Sequence, residues 1–137
     1  MIFIDQYLGL WAKSKDLTAA RLANANKLLL AVNGLMVEME ADGVNFPVNP
    51  ATHSQVSGAT FGGFRPHSCP QGAPHSNHKE GLAVDIYDPK GEIDAWLVAH
   101  KDRMEYHGVY IEDPASTTHW SHWQNIAPHS GHRIFQP

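Results

Sequence analysis

In the run Ser76-Asn77-His78-Lys79-Glu80-Gly81-Leu82-Ala83-Val84-Asp85-Ile86-Tyr87, a carboxylate interrupts what otherwise reads as an apolar strand. Side chains alternate along a strand, so Leu82, Val84 and Ile86 point one way and Ala83, Asp85 and Tyr87 the other. The first set suits a core. The second carries a charge that is costly to desolvate unless a cation or hydrogen-bond donors compensate it. His78 precedes the strand by a turn containing Gly81, and the small Ala83 leaves room beside Asp85. A His at the mouth of the turn and an Asp inside the strand can converge on one ion. An Asp on a half-exposed strand face turned to water is the commoner arrangement, and this pair alone does not choose between the two.

Working outward, Thr18 to Gly43 reads as a long helix. Leu22, Ala25, Leu29, Val32, Met36 and Met39 recur at steps of three and four, with Thr18 as N-cap and Gly43 as the stop. That stripe is expected to be core rather than a binding face. Asp5 to Lys15 is expected to add a short helix beside it. A strand is expected at Val56 to Phe64, a loop at Pro66 to Pro74, a strand at Leu82 to Tyr87 and a second helix over Gly91 to His107. Val109 to Glu112 and Trp120 to Gln124 supply two more short strands. The expected architecture is α+β, a small, mainly antiparallel sheet with helices packed on one side.

The 137 residues fit a single domain, residues 1–137, and 42% hydrophobic against 18% charged residues allows a packed core. Ten Lys and Arg against a net charge of −4, without a basic block, argue against nucleic acid. The longest apolar stretch, around Leu28 to Val32, is too short for a membrane span. Met1-Ile2-Phe3-Ile4 runs into Asp5 without the basic flank or cleavage site of a signal peptide, so cytoplasmic synthesis without a leader is expected. A single cysteine, Cys69, offers no disulfide framework. No feature asks for an oligomer, and a monomer is expected.

Ten histidines stand out, none of them in the first 52 residues. Most lie among Pro, Gly and Ser or on a helix surface, where solvated side chains are the ordinary reading. His119 and His122 differ, because Thr118-His119-Trp120-Ser121-His122-Trp123 sets His122 between tryptophans that exclude water and restrict its rotamer. On a regular strand positions 119 and 122 face opposite sides, so only one of them faces a given site without a bulge. Two His and one Asp with an open fourth position form a ligand set suited to a catalytic zinc ion.

These motifs together, Ser57-Gly58, Gly63-Phe64-Arg65, Ser76-x-His78, Gly81-x-Ala83-x-Asp85-Ile86 and Trp120-x-His122, resemble the VanY-type zinc DD-peptidases, which share their fold with the zinc domain of hedgehog proteins. Tyr110-Ile111-Glu112-Asp113-Pro114 and the ending Ser130-Gly131-His132-Arg133-Ile134-Phe135 are most similar to short phage and prophage members. The resemblance implies a hydrolase of bacterial peptidoglycan stem peptides, a carboxypeptidase or an endopeptidase, with zinc held by His78, Asp85 and His122. It also implies action on the cell wall, in the manner of an endolysin, after release by lysis, a holin or a virion.

In one respect the chain departs from the family. Many members place a glutamate base three residues before the last ligand, and that position here is His119. Either His119 does acid–base work, or Glu112 reaches the site from a neighbouring strand, or catalysis is lost and a zinc-containing module binds cell wall or a protein partner. Strand parity and the ionisation of a carboxylate at neutral pH favour Glu112 as base. Arg65 has the fork to take a substrate carboxylate or a developing oxyanion, and Ser76 can bind substrate or orient His78.

Overall fold

The protein is described here by a computed structural model covering residues 1–71, 73 and 75–137. Of the expected loop Pro66–Pro74, Gly72 and Pro74 lie outside the described residues. The long helix forms as its pattern requires, as α2 (Ala19–Ala41) after the short α1 (Ile4–Leu8) and a 3-10 turn at Gly9–Trp11. Thr18 caps α2 by accepting from the Arg21 amide at 3.2 Å, and the chain turns out beyond Asp42 through Gly43 at φ 88°. The buried face is wider than the expected stripe, adding Leu28 and Leu35, whereas Leu22 is 37% exposed. Among the described residues no helix is long and apolar enough to cross a membrane.

The single helix expected over 91–107 is two, α3 (Glu92–Ala99) and α4 (Lys101–His107). His100 breaks it. Its ring Nδ1 lies 2.7 Å from the Trp96 carbonyl, the acceptor that its own amide would use in a continuous helix. The amide bonds Leu97 instead, at 3.1 Å, and the imidazole stacks on the Trp96 ring at 3.9 Å.

The sheet is mixed, in the order β1-β3-β2-β4, with β1 Ala83–Tyr87, β2 Tyr110–Glu112, β3 Trp120–Gln124 and β4 Ile134–Phe135. β3 pairs antiparallel with β1 and β2, while β2 and β4 are parallel. β4 has no counterpart among the expected strands, and the strand expected at Val56–Phe64 does not form. That segment instead straps the outer edge of β1. Val56 makes one bridge to Ile86, and the Ser57 amide meets the Asp85 carbonyl at 2.9 Å. The chain then turns through Gly58 to Gly62 and returns to receive the Asp85 amide on the Gly62 carbonyl at 2.7 Å. Glycines at 58, 62 and 63 favour this tight return over an extended run.

One hydrophobic cluster draws on all four helices and one face of the sheet: Tyr7, Leu28, Leu35, Met36, Ile93, Leu97 and Met104 meet Val84, Ile86, Ile111 and Trp123. The opposite face carries a polar row. Asp85 pairs with His122 across β1 and β3; continuing the β2–β3 register sets Glu112 beside His122, and Phe135 pairs with Glu112. Because every strand alternates, burying one row on the helices sets this row on the opposite face.

Candidate metal centre

Asp85, His122 and Glu112 line a cleft of about 480 Å³ together with Arg65, Ser76, Asn77, His78, Trp120 and Phe135. His78 is delivered by the 3-10 turn Asn77–Glu80, which ends at Gly81 with φ 74°. A Cβ on Gly81 would also stand 2.6 Å from the Arg21 carbonyl of α2, so the turn and the helix can meet only through glycine.

The three side chains expected to hold a metal converge. Their ligand atoms all lie within 4.8 Å of one another. His78 Nε2 is 3.3 Å and His122 Nδ1 2.8 Å from the same oxygen, Asp85 Oδ1. Each outward-facing atom is also engaged. His78 Nδ1 meets the Gly63 carbonyl at 2.9 Å, His122 Nε2 meets Gln124 Oε1 at 3.0 Å, and Asp85 Oδ2 takes Arg65 Nη2 at 3.4 Å. Gly63 must be glycine for this, since a Cβ there would sit 1.9 Å from the Tyr7 carbonyl. Two oriented imidazoles and a carboxylate whose second oxygen is occupied make a donor set that fits a zinc ion with an open position. All three are largely buried.

The electrostatics follow from that packing. Burial pushes the Asp85 carboxyl up, but the charges and hydrogen bonds of His78 and His122 outweigh it and hold the group well below the usual range. Burial depresses His122, and the Asp85 carboxylate beside it reverses the sign and raises it. Glu112 is raised, chiefly by burial, with Asp85 adding to the effect and the two imidazoles opposing it. Tyr7, whose hydroxyl donates to the Ala83 carbonyl at 3.0 Å, is raised by burial and by Asp85. It braces β1 from below.

Of the expected site residues, the fold brings His78, Asp85, His122, Glu112, Arg65 and Ser76 to one cleft. It does not bring His119. That residue precedes β3 at φ 76°, is exposed, and lines a separate groove of about 680 Å³ with Lys90, Asp94 and Thr118. Its Nδ1 lies 3.3 Å from the Pro89 carbonyl. No bulge turns it toward the cleft, because β3 is regular from Trp120 onward. Sequence reading missed Gln124, Asn77 and Phe135. Gln124 was detectable, since it shares strand parity with His122; Phe135 was not, because β4 was unforeseen.

Fold and site together define an α+β domain with a candidate mononuclear metal centre on the polar face of its sheet. Scans of the chain against models of known protein families, characterised proteins and solved structures give no match.

Proposed function

We propose that the protein is a zinc metallopeptidase hydrolysing peptide bonds of bacterial peptidoglycan stem peptides, with the hedgehog/DD-peptidase arrangement that its motifs resemble. The observation that carries this reading is the row Asp85–His122–Glu112 across three strands, with His78 closing onto it. Zinc held by His78, Asp85 and His122 would polarise the scissile carbonyl and acidify water at neutral pH. Glu112, raised by burial, takes the proton of the attacking water on its carboxylate and returns it to the leaving amine. Arg65 is anchored by Nε donating to the Phe61 carbonyl at 2.7 Å and by Nη2 at Asp85. Its guanidinium lines the cleft, where it can meet a substrate carboxylate or the oxyanion. Ser76 lines the entrance. Trp120 and Phe135 supply an apolar wall that sheds water from the bound peptide.

A non-catalytic zinc module is the second reading. It is favoured by one observation, that the position where many similar peptidases carry their base is His119, which faces away from the cleft. Metal analysis of protein purified with zinc present, then mass spectrometry of digested peptidoglycan, separates the two. One zinc per chain and new peptide termini are expected. Zinc without cleavage supports the binding module, and the absence of zinc overturns both. A role on the cell wall, in phage lysis, entry or assembly, belongs to the same proposal.

A further inference from the structure

We propose that Gln124 is the positioning residue that fixes which nitrogen of His122 faces the metal, and that it ties this ligand to the turn carrying His78. The inference rests on the zinc reading above. Gln124 is 2% exposed, and its Oε1 accepts from His122 Nε2 at 3.0 Å and from Asn77 Nδ2 at 3.1 Å. Its own Nε2 donates to the Ile126 carbonyl at 2.8 Å. That last bond decides the orientation of the amide, because a backbone carbonyl only accepts. Flipping the amide would set two NH₂ groups against each other at Asn77 and two oxygens against each other at Ile126. With the oxygen held toward His122, Nε2 of the ring is the protonated nitrogen and Nδ1 of the neutral imidazole offers its lone pair to the centre. Asp85 Oδ1, 2.8 Å from Nδ1, pulls the proton the other way when no cation intervenes. Gln124 opposes that pull.

The two histidine ligands differ in this respect. The partner of His78 is a backbone carbonyl, at Gly63, which no substitution of a side chain removes. The partner of His122 is a side chain that also holds Asn77, the residue preceding His78. One amide therefore joins the ligand on β3 to the turn that supplies the other imidazole.

The test is zinc affinity of the full chain by chelator competition, with ring-nitrogen NMR of His122 in the zinc-loaded protein and circular dichroism of the metal-free protein as the folding control. Gln124→Leu should bind zinc about 10–100-fold more weakly and lose the slowly exchanging proton on His122 Nε2. Gln124→Glu keeps the acceptor for His122 but sets an oxygen against the Ile126 carbonyl. It should still bind zinc more tightly than Gln124→Leu and within about tenfold of wild type, an outcome that simple packing would not give. Asn77→Ala should cost a smaller, roughly few-fold loss with the Nε2 proton retained. A folded Gln124→Leu with wild-type affinity, or a folded Gln124→Glu as weak as Gln124→Leu, overturns the role. Should Gln124→Leu fail to fold, a loss of more than about tenfold in folded Gln124→Glu overturns it equally. Unchanged affinity in Asn77→Ala overturns the tie to the His78 turn. Wild-type protein that binds no zinc overturns the metal centre itself, and the role of Gln124 with it.

Discussion

Two grooves flank β3, and their inventories look alike: each has histidine and carboxylate. In the smaller, about 480 Å³, His78 and His122 have every ring nitrogen engaged and both point at one oxygen of Asp85. In the larger, about 680 Å³, His119 is exposed and faces a backbone carbonyl. There Asp94 accepts from hydroxyls, Ser121 Oγ on one oxygen and Thr117 Oγ1 on the other at 3.5 Å. The Ser121 hydroxyl accepts in turn from Trp123 Nε1 at 2.7 Å. Volume favours the second groove; donor count and convergence favour the first. A metal needs several donor atoms aimed at one point, and among the described residues it is His78, Asp85 and His122 that meet this condition.

The sharpest way to break this contrast is Asp85→Ala. It should weaken zinc binding by more than about 10²-fold, beyond the loss expected from an orienting partner, as read by chelator competition. Retained affinity would mean that the convergence of three side chains is not the site. Glu112→Gln should lower turnover of a stem-peptide substrate by roughly 10²-fold or more while zinc remains bound. Near-normal cleavage in that variant would return the base role to another group.

Asp94 sharpens the comparison through pH. Burial raises its carboxyl from 3.8 to about 6, with Asp88 and Asp113 adding to the effect and the Ser121 and Thr117 hydroxyls opposing it. A raised folded-state pKa means that the folded chain holds the proton more tightly than the unfolded one. Asp94 therefore favours folding below about 4, and that contribution is lost as pH rises to about 6. Denaturant titrations should show the stability of Asp94→Asn gaining on wild type across that window and running parallel to it above. A difference independent of pH would place Asp94 in an ordinary polar environment. The smallest effect is expected from His119→Ala, with turnover within about twofold of wild type, since a surface side chain remote from the reacting atoms contributes little. A dead His119→Ala that still binds zinc would overturn the assignment of Glu112.

Much of this was legible along the chain because it depends on local periodicity. The stripe of α2, the alternation of Leu82–Tyr87 and the opposite parity of positions 119 and 122 each follow from the backbone repeat. The convergence of His78 on Asp85 was expected only as one of two arrangements. What stayed hidden had causes distant in sequence or specific to a side chain. Val56–Phe64 reads as a strand from its residue types, yet its glycines let it wrap the edge of β1. His100 divides a helix by taking the carbonyl its own amide required.

By itself, the sequence determined which residue types could carry chemistry and which strand face each would occupy, since steric alternation and helical pitch need no partner. Only the tertiary structure decided that Glu112 stands beside His122 and that His119 lies in another groove. It alone set Gln124 rather than water against the second nitrogen of His122. Those outcomes depend on register between strands far apart in the chain, and register is fixed by burying Val84, Ile86, Ile111 and Trp123 together against the helices.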